Sequence, residues 1–191
     1  MLDRNEHLSE TLASPNEAAL SHSNKFDGLH LSPHFVLGEF TKTNFKTEDN
    51  NEPPLEAVEN MIDLCNDWLE VLRRGYNRRY VLASDEDYNT SNEVEPLVIN
   101  QGFRSYQVML AMEKAGLNPS RTSNHMTGCA ADIRCAGVEE ALRKMVILLD
   151  IADEQKMTFD ELFLERRGSI YWIHFAARAE NNRGKISFII N

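Results

Sequence analysis

A chain of 191 residues is long enough for one domain with a sizeable core. Its apolar content of 42% is too high for a fully disordered chain, and no apolar run approaches the ~20 residues needed to cross a bilayer. The formal net charge of −10 speaks against nucleic acid: phosphate binding needs clustered Lys and Arg, and the basic pairs at 73–74, 78–79 and 166–167 are short and flanked by acids.

Residues 1–28 are rich in Ser, Asn, Glu and His with little periodicity. They are expected to form a polar arm ahead of a domain spanning 29–191. Residues 1–7 lack the basic start and apolar stretch of a secretory signal, so the chain is not expected to export itself. After a polar stretch, Pro53 and Pro54 suit the first turn of a helix. Leu55, Val58, Met61, Cys65, Trp68 and Leu72 then recur at helical spacing up to Gly75. Residues 80–83 and 97–100 read as strands, with an acidic, turn-rich loop over 84–95 between them. A short helix is expected over 105–115, stopped at Gly116 and Pro119, and a second amphipathic helix over 137–150. Helices grouped with a small, mainly antiparallel sheet make an α+β domain.

The chemistry concentrates in two places. His125 and Asp132 are seven residues apart with Gly128 between them, which suits a loop running into a strand rather than a helical pair. His174 lies in a β-branched and aromatic run, residues 170–176, that reads as a central strand. Two imidazoles and one carboxylate could converge on a metal and leave its fourth position open. By spacing alone they could equally be ordinary core or surface residues. His7, His22 and His30 sit in polar sequence, and His34 precedes an apolar run that it would pack on or cap. The three cysteines form no framework: Cys65 falls on a helix face, and Cys129 and Cys135 read as small buried residues rather than ligands.

Ser123, His125, Gly128, Ala130 and Asp132, followed by Trp172, Ile173 and His174, resemble the motif of peptidase family M15, the zinc peptidases of peptidoglycan. These include D-alanyl-D-alanine carboxypeptidases and L-alanyl-D-glutamate endopeptidases. Three further segments are similar in the same order: residues 31–40, residues 99–105 around Arg104, and residues 159–165. The resemblance covers roughly residues 31–178. It implies a hedgehog/DD-peptidase-like α+β fold, and zinc held by His125, Asp132 and His174. Zinc would polarise the scissile carbonyl and acidify a bound water. Arg104, helped by Ser123, would hold a substrate carboxylate, for which a guanidinium fork is well shaped.

A general base is also needed. Some family members carry an acid three residues before the last histidine, where this chain has Tyr171. If residues 161–165 and 170–174 form a hairpin, alternation places Glu161, Phe163 and Glu165 on the face of Trp172 and His174. Glu165 matches the family's glutamate and is the expected base. Glu161 is the runner-up, and Asp160, facing the other way, is expected to be a structural hydrogen-bond acceptor. The expectation is a zinc peptidase trimming or cutting peptidoglycan stem peptides, as a phage-type lysis enzyme released by a partner or as a cytoplasmic enzyme. The alternative is a metal-binding module on the same fold, with a structural or wall-binding role, should no carboxylate reach the metal.

Overall fold

The computed structural model describes residues 28–82 and 94–190. The polar arm over residues 1–27 and the greater part of the 84–95 loop lie outside the described residues.

The chain enters through a short hairpin, β1 (His30–Ser32) and β2 (Phe35–Val36), that runs into a single turn of helix, α1 (Leu37–Thr41). The long helix begins behind Pro54 as α2 (Leu55–Leu64), continues as a π-helical turn (Cys65–Leu69) and ends as α3 (Glu70–Tyr80). Ala57, Met61, Leu64, Leu69 and Leu72 are buried along one side. The π turn inserts one extra residue into the helical ladder, which lets Cys65, Trp68 and Leu69 all face the core.

Residues 80–82, expected to begin a strand, do not: α3 runs through Gly75 to Tyr80. Gly75 does not stop the helix; it admits α5 (Val138–Glu154), whose Ile147 Cγ2 would stand 3.1 Å from a Cβ at this position. The last turn is held by a local and a tertiary contact: the Tyr76 and Tyr80 rings lie 5.5 Å apart on the same helix, and the Arg143 guanidinium of α5 sits 4.6 Å over Tyr80. Buried Asn77 receives the returning chain at Glu95, through bonds of 2.7 and 3.0 Å. The expected helix over 105–115 is α4 (Tyr106–Lys114), capped by Ser105.

A five-stranded sheet carries the rest: β3 (Ile99–Gln101), β4 (Ala130–Cys135), β5 (Glu161–Arg167), β6 (Ile170–Ala176) and β7 (Lys185–Ile190). The spatial order is β3-β4-β6-β5-β7, antiparallel except for the β5–β7 pair. The molecule is therefore a mixed α+β structure with a mainly antiparallel sheet, and β6 is its central strand. The expected β5–β6 hairpin forms, with pairing carried to Arg167 and Ile170, so that its turn narrows from residues 166–169 to Gly168 and Ser169. The strand expected over 97–100 is displaced towards the C-terminus as β3. Strand β7 was not expected from sequence.

Strand alternation divides the sheet into two surfaces. Ile133, Ile173 and Leu164 form one cross-strand row and Ala131, Phe175 and Leu162 a second; all six are buried in the main core. Phe175 packs on Trp68, ring centroids 4.9 Å apart, and on Phe159 at 6.1 Å. The opposite surface carries Asp132, His174 and Phe163 in one row, and Arg134, Trp172 and Glu165 in the next. Among the described residues no helix is long and apolar enough to cross a membrane.

Phe175 joins sheet and π turn, so Phe175→Ala is expected to cost about 3–5 kcal/mol. Equilibrium unfolding in urea measures this; a loss below about 1 kcal/mol would mean that the sheet–helix contact contributes little.

Candidate metal centre

Three backbone segments deliver the cluster. The first is the bend after β3. Its Phe103 N–H donates to Phe40 O at 2.8 Å and its Arg104 N–H donates to His125 O at 3.0 Å. Fully buried Asn51 pins the same bend, donating to Phe103 O at 3.1 Å and Thr41 O at 2.9 Å and accepting from Ser105 N at 2.7 Å. The second is a single 3-10 turn, Asn124–Thr127, whose cap Ser123 accepts from His125 N through Oγ at 3.4 Å. Gly128 ends this turn at φ +76°, in the left-handed region, and an added Cβ would stand 2.3 Å from Ala57 O on α2. The turn is thereby pressed against the long helix before the chain enters β4. The third segment is β6, where His174 pairs directly opposite Asp132.

His125, Asp132 and His174 meet as expected, with one ligand atom from each within 4.8 Å of the others. Asp132 Oδ1 lies 3.3 Å from His125 Nε2 and 3.0 Å from His174 Nδ1. Ligands at ordinary zinc distances around a tetrahedral ion stand about 3.4 Å apart, so the spacing fits one small cation. The remaining ring nitrogens are both engaged. His125 Nδ1 donates to Gly102 O at 2.5 Å, and His174 Nε2 lies 3.2 Å from Glu161 Oε2. A backbone carbonyl can only accept, so it fixes the His125 tautomer and leaves Nε2 free for a metal; the Glu161 carboxylate leaves His174 Nδ1 free in the same way. Phe163 stacks on the His174 ring, centroids 5.4 Å apart and planes 25° apart. Both histidines are buried.

The electrostatics suit a cation. Burial disfavours the Asp132 charge, but the two histidines outweigh it and hold the carboxyl well below its usual range. Burial alone would lower His174; the Asp132 and Glu161 hydrogen bonds outweigh it and raise the ring to about 9. The carboxylates of Asp132 and Glu161 thus favour positive charge at this position.

The two glutamates differ in environment, although both lie on the cluster's face. Glu161 is drawn below its usual range, chiefly by the hydrogen bond to His174, and is also bonded by Asn124 and Arg183. Glu165 has no hydrogen bond or ion pair among the described residues. Burial, reinforced by the Asp132 charge, raises its carboxyl. Arg104 is 8% exposed, and its Nε has no hydrogen-bond partner among the described residues. Burial lowers this guanidinium, opposed by attraction to Asp132, and it remains charged. A buried guanidinium with an unsatisfied Nε among the described residues, beside a candidate metal site, is poised for an anion.

Tyr171 lies on the opposite surface of β6, with Arg166 5.4 Å over its ring, and does not face the cluster. Asp160 is fully buried and accepts from Asn124, Arg178 and Arg183, as a structural acceptor should. Cys65, Cys129 and Cys135 are buried free thiols outside the cluster; burial pushes Cys135 up to about 12 and raises the other two. His34 is exposed and pairs with Glu70 at 2.8 Å. Sequence reasoning missed Asn51, Asn124, Arg178 and Arg183. A cleft of about 310 Å³ between α2, the π turn and the loops around 156–158 and 177–182 does not include the cluster. No known family model matches this chain, and no curated protein matches it either.

Metal must displace the proton on His174. Zinc affinity is therefore expected to rise about tenfold per pH unit from about pH 6 and to level off above the His174 value of about 9, with one proton released from that ring. Calorimetry in buffers of different ionisation enthalpy reads the proton count. His125→Ala and His174→Ala should each abolish stoichiometric binding; retention of one tightly held zinc by either variant would break the ligand assignment.

Proposed function

We propose that the cluster is the zinc site of a peptidase acting on peptidoglycan stem peptides, built on a hedgehog/DD-peptidase-like fold. The observation that carries this reading is the company of three convergent ligand atoms, a buried arginine whose Nε has no partner among the described residues, and a carboxyl raised by burial. A purely structural zinc site has four protein ligands, whereas three with an open position is the catalytic pattern.

Zinc, when bound, supplies an acidified water and polarises a carbonyl oxygen. The chain's own residues do the remaining work. Glu165 receives the proton at its carboxylate and returns it to the leaving amine. A carboxyl raised above its ordinary value is better matched to that exchange than one drawn down, as Glu161 is. Glu161 holds the His174 ring instead. Arg104 receives a substrate carboxylate on its planar fork, which sets the scissile bond against the cluster. Ser123 holds the His125 backbone through its side chain and is half-exposed beside it, where it can also meet substrate.

A substrate with a free carboxylate suits both D-alanyl-D-alanine ends and internal bonds of the stem. The position of Arg104 favours cleavage near a carboxylate. The net charge of −10 gives no general attraction to anionic walls, so wall engagement rests on specific contacts.

Glu165→Gln is expected to keep zinc and lose about 10²–10⁴ in kcat. A fully active variant would move the base elsewhere. Arg104→Ala should raise KM most for peptides ending in a free carboxylate; an equal loss on internal bonds would remove its clamp role. The deciding experiment is digestion of purified peptidoglycan and D-alanyl-D-alanine peptides by zinc-loaded protein, with mass spectrometry of the products. A defined new end identifies the bond. The absence of product from protein holding one zinc would favour the non-catalytic module.

A further inference from the structure

Behind the cluster lies a second layer of charge, formed by the loop joining β6 to β7. Arg183 donates from Nε to Asp160 Oδ1 at 2.9 Å and from Nη2 to Asp160 Oδ2 at 2.6 Å. Its backbone N–H also donates to Asp160 Oδ1 at 3.1 Å. Arg178 Nη2 and Asn124 Nδ2 reach Asp160 Oδ2 at 2.5 and 2.7 Å. The backbone on either side of Asp160 is tied as well, its N–H to Ala176 O at 2.7 Å and its carbonyl to Lys185 N at 3.0 Å. Asp160 is therefore a fixed anchor that faces no solvent.

The same Arg183 Nη2 also donates to Glu161 Oε1 at 2.6 Å. The other oxygen, Oε2, faces His174 Nε2 at 3.2 Å and accepts from Asn124 at 3.0 Å. The two oxygens of one carboxylate thus have separate tasks: Oε1 is gripped from the loop and Oε2 holds the ligand ring. Arg183 is half-exposed, and an exposed ion pair by itself contributes little. This pair differs because the guanidinium is already locked, fork to fork, on a buried aspartate.

We propose that Arg183 is a positioning residue for the metal centre: anchored on Asp160, it holds Glu161 so that the His174 ring presents Nδ1 to the ion. The proposal rests on the reading of His125, Asp132 and His174 as a metal site. Partners one shell beyond the ligands typically alter metal affinity about 10–100-fold. The direct route from Arg183 to the His174 ring runs through Glu161, so most of its effect should vanish once Glu161 is gone. A salt bridge that merely supports the fold would shift the unfolding midpoint without that coupling.

The test is a double-mutant cycle on zinc affinity, measured on folded protein by competition with a chromophoric chelator. Arg183→Ala is expected to weaken zinc binding about tenfold or more, and Glu161→Ala to do the same. The double variant should be no weaker than Glu161→Ala alone. Arg183→Lys keeps a cation for Asp160 but lacks a fork that spans both carboxylates, so it should lose at least about threefold and serves if the alanine variant does not fold. Zinc affinity within about twofold of the parent in the Arg183 variants, or losses that multiply in the double variant, would overturn the proposal. If the parent binds no zinc, the metal reading fails and this inference fails with it. If the parent binds zinc and the Arg183 variants bind it equally well, only the positioning role fails.

Discussion

The cross-strand pairing of Asp132 with His174 is the constraint on which the site depends. One side chain of β4 and one of β6 meet because a strand places alternate residues on alternate surfaces and the register puts these two opposite each other. A slip of one residue would send His174 to the core and bring Ile173 or Phe175 to the cluster. The register is secured on the other surface, where Ile133, Ile173 and Leu164 pack as a buried row. The hydrophobic core and the pairing of Asp132 with His174 are thus two consequences of one alternation.

The third ligand arrives differently. His125 sits on a one-turn helix, and nothing in a strand register places it. Its position comes from three local contacts: the Ser123 cap, the Gly102 carbonyl at its ring and the close approach of Gly128 to Ala57. The first closes the turn on itself, and the other two join it to the bend after β3 and to the long helix. The cluster consequently draws on the sheet, the bend after β3 and the long helix together, which makes it sensitive to packing errors in any of them.

Much of this was legible in the sequence. The β5–β6 hairpin was, because its apolar residues alternate and Gly168 with Ser169 marks the turn. The meeting of His125, Asp132 and His174 was, because a loop running into a strand and a central strand could bring them together, and the parity argument put Glu161 and Glu165 on the face of His174. Other features were hidden for physical reasons. Tyr80, Val81 and Leu82 have strand-like side chains, but ring and guanidinium contacts from Tyr76 and Arg143 keep Tyr80 helical. The π turn depends on how Trp68 and Leu69 reach the core, which local propensity does not encode. Strand β7 alternates weakly, pairs parallel to a strand two elements earlier, and leaves Ile186, Phe188 and Ile190 exposed, so it lacks the burial signature of a strand. Arg178 and Arg183 lie in an irregular loop where charge reads simply as solvated surface.

The engagement of both imidazoles by fixed acceptors has a consequence for how the protein would live with its metal. Gly102 and Glu161 hold the two rings through contacts that do not involve an ion, so binding one would need little reorganisation of them. Small zinc domains, by contrast, collapse only around their ion. Metal would instead act as a ligand of an already folded protein. Its contribution to stability then follows mass action, growing logarithmically with the free ion concentration.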